Sequence, residues 1–205
     1  MNPLVKIINN VKYYYCYGYE NLYNKIPCAN EILDGIFVGD IVAGNDLEFL
    51  IKNNIKYVVN LSNMIYEQSQ SNLKKHGIKI DNINIRDHVD DHDKLLLEIP
   101  FIVKNIKENR KKGKVLVNCF VGRQRSAIVV ACYLYKNVFI ADSTILTHES
   151  TIECMNNIIN FIKNKRSIVF TPRVNFYCMF FKYIQQDNTQ KEFKRLEILN
   201  NHNKI

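Results

Sequence analysis

The sequence predicts an α/β fold, a central mixed, mostly parallel sheet flanked by helices. Three observations predict it. From Glu31 onward, short apolar runs of strand type alternate with stretches of helical spacing, the mark of a layered α/β domain. The apolar run Lys114 to Asn118 reads as a buried strand. It leads through a short loop into the apolar stretch Ala127 to Tyr135, which reads as a helix. Finally, a chain of 205 residues with 47% hydrophobic content is large enough for one domain with a full core, and no apolar run reaches the length of a membrane span.

The elements follow in order. Residues 1–28 are polar and aromatic, with Tyr13, Tyr14, Tyr15, Tyr17 and Tyr19, and read as an N-terminal arm laid against the core or used in self-association. Met1 to Lys6 lacks the apolar core of a signal peptide. Ile83 and Ile85 alternate with Asn82 and Asn84, a period-two pattern that predicts another strand. Ile102, Val103 and Ile106 predict a helix over Pro100–Asn109, ended by Gly113. A long connection, Asn137 to Ser150, leads to a helix with Ile158, Ile159 and Ile162 on its apolar face. Residues 187–205 are polar and charged and predict a mobile tail.

The loop from Cys119 to Ser126 carries the chemistry. Cys119 and Arg125 flank five residues, Phe120, Val121, Gly122, Arg123 and Gln124. A thiolate is a nucleophile, whereas a thiol is a poor one. A cysteine delivered to a helix N-terminus meets unpaired N–H groups and the positive end of the helix dipole, and both favour the thiolate. The same groups bind anions. Gly122 lets the backbone turn its amides inward, and Arg125 offers a planar fork to two phosphate oxygens. Arg123 adds charge at the rim. Ser126 can hydrogen-bond the sulfur and stabilise it as a leaving group. A bare cysteine-to-arginine spacing in a chain with six cysteines means little, because free cysteine is often only a small buried hydrophobe. The glycine, the serine, the strand before and the helix after make the pattern specific to attack on phosphorus.

These residues resemble the phosphate-binding loop of the dual-specificity phosphatases, in the cysteine-dependent protein tyrosine phosphatase superfamily. That loop is Cys, five residues, Arg, then Ser or Thr. The resemblance covers residues 29–186; Ile32 to Asp40 resembles the family's first strand and turn, Leu47 to Leu50 and then Ile55 to Leu61 its helix-then-strand continuation, and Ile152, Cys154, Arg166, Pro172 and Phe176 its closing helices. It implies a phosphatase-like fold. It also implies a phosphocysteine on Cys119, Arg125 and the loop amides on the phosphoryl oxygens, no metal and no cofactor, and phosphorylated protein as the partner. In the family a general acid sits on a loop well upstream of the cysteine, and Asp87 matches it. Asp90, Asp91 and Asp93 are rivals, and His88 and His92 beside them raise a metal reading that no further ligand pair completes. The family has histidine before the nucleophile where this chain has Asn118.

The charge of +8 suits phosphorylated protein, nucleic acid or an anionic surface. Part of it is a local cluster, Lys104, Lys107, Arg110, Lys111, Lys112 and Lys114, which reads as a solvated helix face. Scattered cysteines without paired motifs suit a reducing compartment, cytoplasmic or nuclear. The abundance of Asn, Ile and Lys suggests an AT-rich genome of viral or protozoan type. The residues favour hydrolysis of phosphotyrosine and phosphoserine or phosphothreonine. Two alternatives stay open, an RNA 5′-phosphatase with Phe120 as a stacking aromatic, and a weakly active or inactive phospho-binding module, for which Asn118 speaks. Oligomeric state is open, with a homodimer among the choices.

Overall fold

The structure, a computed structural model, describes residues 27–62, 67–141 and 143–202. Most of the N-terminal arm expected at 1–28 therefore lies outside the described residues. Five strands form one sheet: β1 (Ala29–Leu33), β2 (Ile36–Gly39), β3 (Ile55–Asn60), β4 (Lys79–Asn82) and β5 (Lys114–Asn118). Their order is β1-β2-β5-β3-β4. β2, β5, β3 and β4 run parallel, and β1 pairs antiparallel with β2. The mixed, mostly parallel sheet is the one the alternating pattern predicts. The apolar run that feeds the loop is its central strand.

Helices cover both faces. On one side lie α1 (Ile41–Asn45), α2 (Leu47–Lys52) and α3 (Glu67–Lys75). Ala43, Leu50 and Leu73 from these helices pack on Phe37, Val58 and Leu116 of the sheet. On the other lie α4 (His92–Asn109), α5 (Arg125–Leu134), α6 (His148–Lys165) and α7 (Tyr177–His202). They pack on Val38, Val59, Val115 and Val117. Successive strand side chains point to opposite faces, so β5 serves both layers. Every residue of α5 after Arg125 is buried. Complete burial of an aliphatic side chain is worth about 1.5–3 kcal/mol, so the helix that follows the loop is held by packing all round.

Four expectations are corrected. Ile32 to Asp40 is a tight hairpin: Asp34 and Gly35 turn the chain between β1 and β2, with Gly35 at φ +76° and its N–H bonded to Glu31 Oε1 at 2.8 Å. The strand expected through Ile85 ends at Asn82, because its neighbour β3 ends at Asn60 and offers no further ladder. The in–out alternation nevertheless persists, with Ile85 buried and Asn84 exposed. The helix placed at Pro100 begins at His92 and carries the proline inside it, so neither Pro100 nor Gly113 marks an end. The expected tail at 187 is instead a continuation of α7 through His202. Asp187 is buried there, accepting from Tyr135 Oη at 2.9 Å and pairing with Lys136 and with Lys191 at 2.7 Å. A polar residue that reads as solvated from its neighbours is thus held by Tyr135 and Lys136, far away in sequence, together with Lys191 one helical turn on.

The connection at 137–150 is also partly ordered. Tyr135–Phe139 extends α5 as a π-helical turn, and Thr147 caps α6 by accepting from Ser150 N.

Candidate active site

β5 ends at the C-terminal edge of the sheet, between the ends of β2 and β3. Ligand sites in open α/β sheets lie at such carboxyl edges. Cys119 is the next residue, and α5 begins at Arg125. The intervening residues fold back over the sulfur. Gly122 N donates to Cys119 Sγ at 3.3 Å, and Ser126 Oγ lies 3.3 Å from it. Gly122 has φ +69°. A Cβ at this position would lie 2.6 Å from the carbonyl carbon and oxygen of Gly39. Glycine is therefore required both for the left-handed turn and for the approach to β2.

Cys119 is buried. Burial pushes its thiol up, but the Arg125 charge, the Ser126 hydroxyl and the backbone N–H groups of Ser126 and Arg123 outweigh it. The thiol is held below its ordinary value. Cys132, buried without such partners, is pushed well up. The contrast sets Cys119 apart from a core cysteine.

Arg125 crosses the floor of the site. Its Nη1 donates to Leu61 O at 3.2 Å and to Ile85 O at 2.8 Å, which fixes the plane of the guanidinium. Its Nε is buried and has no hydrogen-bond partner among the described residues. A buried donor without a partner is costly, and a phosphoryl oxygen would satisfy it.

Asn118 stands behind the loop. Its Nδ2 donates to Asn60 Oδ1 at 3.1 Å, and its backbone oxygen accepts from Leu61 N at 2.8 Å. Asn60 also accepts from Ser62 N and donates to Asn82 Oδ1. The residue before the nucleophile thus belongs to an amide network that holds Leu61, and Leu61 holds Arg125.

The upstream carboxylates separate clearly. Asp91 accepts from Arg86 N at 2.7 Å and from Arg86 Nε at 2.8 Å. The Arg86 side chain and its backbone N–H hold the Asp91 carboxyl below the usual carboxylate range. A group fixed in its charged form is a poor proton donor, so Asp91 is structural. Asp90 lies beside Arg86 and His88, and Asp93 pairs with Lys182. Asp87 is exposed, and its Oδ1 accepts from Asn175 Nδ2 at 3.1 Å. His92 stacks on Phe176, ring centroids 4.5 Å apart, and burial lowers its pKa. Among the described residues no group of three His, Cys, Asp or Glu is placed to hold a metal ion.

The remaining loop residues divide by role. Phe120 is half-buried, and its carbonyl accepts from Ile41 N. Val121 and Arg123 are half-buried, and the Arg123 carbonyl accepts from Phe170 N. Gln124, expected at the ligand, is 2% exposed and faces the segment 171–175 instead. Its Nε2 donates to Thr171 O at 3.2 Å and Arg173 O at 2.8 Å, and its Oε1 accepts from Asn175 N at 3.1 Å. Arg166, 1% exposed, donates from Nε to Gly122 O at 2.9 Å. Asn175 carried no signal in the sequence, because its partners lie far away in the chain. The basic cluster, Lys104 excepted, lines an open groove with Asp34 and Asn54, at the opposite end of β5 from Cys119.

Comparison with known proteins agrees with this geometry. Residues 36–186 match the family model for the dual specificity phosphatase catalytic domain. The chain belongs to the dual specificity phosphatases. As a member it is a cysteine-dependent protein phosphatase domain. It is 36% identical over 115 residues to the dual specificity protein phosphatase Mpk3 of Drosophila melanogaster, a match spanning 55% of this chain and 26% of that protein. The chain thus matches about a quarter of its curated relative. Among solved structures it is similar to the Yvh1 phosphatase domain of Chaetomium thermophilum, with a TM-score of 0.65 and 20% identity over 77% of this chain and 96% of that one. It is also similar to human DUSP28, with a TM-score of 0.61 and 20% identity over 78% and 95% of the two chains. At these identities the likeness is one of fold.

Proposed function

We propose that the domain hydrolyses phosphotyrosine and phosphoserine or phosphothreonine in proteins, with Cys119 as nucleophile and Asp87 as acid and base. The observation that carries this reading is the Cys119 sulfur, held toward thiolate beside an arginine whose Nε has no hydrogen-bond partner among the described residues. The thiolate attacks phosphorus, and an S–P bond forms as the bond to the leaving oxygen breaks. The Asp87 carboxyl gives its proton to that oxygen. The loop N–H groups and Arg125 take up the charge on the equatorial oxygens. A water then attacks phosphorus and yields its proton to the Asp87 carboxylate. The S–P bond breaks, and the Ser126 hydroxyl stabilises the returning thiolate. No step needs a metal.

Exposure of Asp87 and Asn175 at the rim supports an open pocket that accepts short as well as long phosphorylated side chains. A reducing compartment, cytoplasm or nucleus, fits a reactive thiolate. The test compares wild type with Cys119→Ser on peptides bearing each phosphoresidue and on RNA with a 5′-triphosphate. Turnover of all three peptides that vanishes in Cys119→Ser supports the proposal. Faster turnover of the RNA would move the substrate to nucleic acid, and turnover indistinguishable from Cys119→Ser would leave a phospho-binding module.

A further inference from the structure

We infer that Asn175 is a positioning residue for the Asp87 carboxyl, and that Gln124 fixes Asn175 to the catalytic loop. The inference rests on the reading of Asp87 as general acid. Segment 166–175 runs beside the catalytic loop and is bonded to it from residues 166, 170, 171, 173 and 175. Arg166 holds the Gly122 carbonyl, Phe170 N donates to the Arg123 carbonyl, and Gln124 holds the 171–175 stretch by three hydrogen bonds. The last of these bonds fixes the backbone of Asn175, and the Asn175 side chain then reaches the acid at 3.1 Å. A continuous path of hydrogen bonds therefore joins the loop that holds the nucleophile to the carboxyl that donates the proton.

The direction of the final bond has a chemical consequence. Asn175 Nδ2 is a donor, so Asp87 Oδ1 must act as an acceptor. When the carboxyl is protonated, its proton sits on Oδ2. The bond thus selects which oxygen carries the proton and orients the carboxyl plane. Asp87 itself is exposed, and an exposed carboxyl without this contact would sample several rotamers. Proton transfer needs the donor within hydrogen-bond reach of the leaving oxygen, so lost orientation becomes lost rate. Gln124 explains the other half. It is buried inside the catalytic loop yet spends its amide on the strap.

The experiment separates assistance to the leaving group from general damage. Two substrates are used: phenyl phosphate, whose leaving phenol is as basic as tyrosine (pKa ~10), and a dinitrophenyl phosphate, whose leaving group departs without a proton. Rates are compared as kcat/KM, which ends at phosphoenzyme formation and leaves out the water attack that Asp87 also assists; on that scale the reference Asp87→Asn should slow phenyl phosphate by about 10²–10⁴-fold while largely sparing the activated ester. Asn175→Ala and the isosteric Asn175→Asp, at an exposed position, should slow phenyl phosphate by about 10–100-fold and change the activated ester by less than about threefold. Gln124→Met should show the same selectivity. Asn175 variants that slow both substrates equally, or neither, while Asp87→Asn remains selective, would overturn the positioning role alone. An Asp87→Asn variant without selectivity would overturn the acid assignment and this inference with it.

Discussion

Replacing Gly122 with alanine tests whether the loop geometry, and not merely its residue types, makes the site. Gly122 sits at φ +69°, and holding an alanine in a left-handed conformation costs about 1–2 kcal/mol. The new Cβ would also lie 2.6 Å from Gly39 C and O and 2.8 Å from Asp40 N. Comfortable contact begins near ~3.5 Å, so the loop or the end of β2 must move by about 1 Å. Both collision partners are backbone, so no side chain can rotate away. The displaced N–H is one that donates to Cys119 Sγ. A 1 Å misplacement of catalytic groups costs on the order of 10²-fold in rate. We therefore expect kcat/KM on an aryl phosphate to fall about 100-fold. The midpoint of thermal unfolding should fall by about 2–8 °C, since each kcal/mol is worth roughly 2–4 °C in a chain of this size. Circular dichroism melts and steady-state hydrolysis read the two effects. An alanine variant with rates within about threefold of wild type and an unchanged melt would refute the reasoning.

Other outcomes follow from the same contacts. Ser126→Ala removes a hydroxyl that helps hold the Cys119 thiol below its ordinary value, so the pH midpoint of iodoacetamide alkylation should move upward, and phosphoenzyme breakdown should slow more than its formation. Arg125→Lys loses the planar fork and leaves Leu61 O and Ile85 O without their shared donor; kcat/KM should fall about 10²–10³-fold, with vanadate affinity falling alongside, and retained vanadate affinity would contradict the assignment. Asp187→Ala leaves Lys136 and Lys191 facing each other across a buried position and should destabilise the fold by about 3–5 kcal/mol in urea titrations. Burial pushes the Asp187 carboxyl up, but bonds from Lys136, Lys191 and Tyr135 bring it below the ordinary aspartate value. Its contribution is therefore full above that ordinary value and is lost as pH falls through the lowered one, so the destabilisation by Asp187→Ala should shrink in acid. Truncation before Asp187 should destabilise the fold far more than truncation after Glu192, whereas a mobile tail would make both neutral.

What the sequence discloses depends on how far apart the cooperating residues lie. Cys119, Gly122, Arg125 and Ser126 occupy one contiguous stretch, and the loop they form around the sulfur is foreseeable from residue type and order. The alternation of apolar runs discloses the layered sheet for the same local reason. Gln124 misleads, because nothing near it in the chain shows that its amide belongs to Thr171, Arg173 and Asn175. Asp187 misleads likewise, since its partners Tyr135 and Lys136 come from the π-helical turn that follows α5. The proline in α4 is read from propensity as a helix start, whereas apolar packing of Leu95, Leu96 and Ile99 carries the helix through it. Asn118 is visible as a departure from the family, yet its place in the network with Asn60 emerges only when β3 and β5 lie side by side.

The two carbonyls that hold Arg125 bear on how the domain turns over. Ile85, which supplies one of them, lies two residues before Asp87 on the same connection, and the Arg86–Asp91 bonds and Asn175 tether that connection further. A swing of Asp87, the proposed acid, would pull on the arginine's own anchor. The segment is thus built less like a gate than like a fixed jaw, and substrate meets machinery already in register. Such an arrangement leaves little for a closing motion to do, so turnover should be indifferent to solvent viscosity and governed by the bond-making steps at phosphorus.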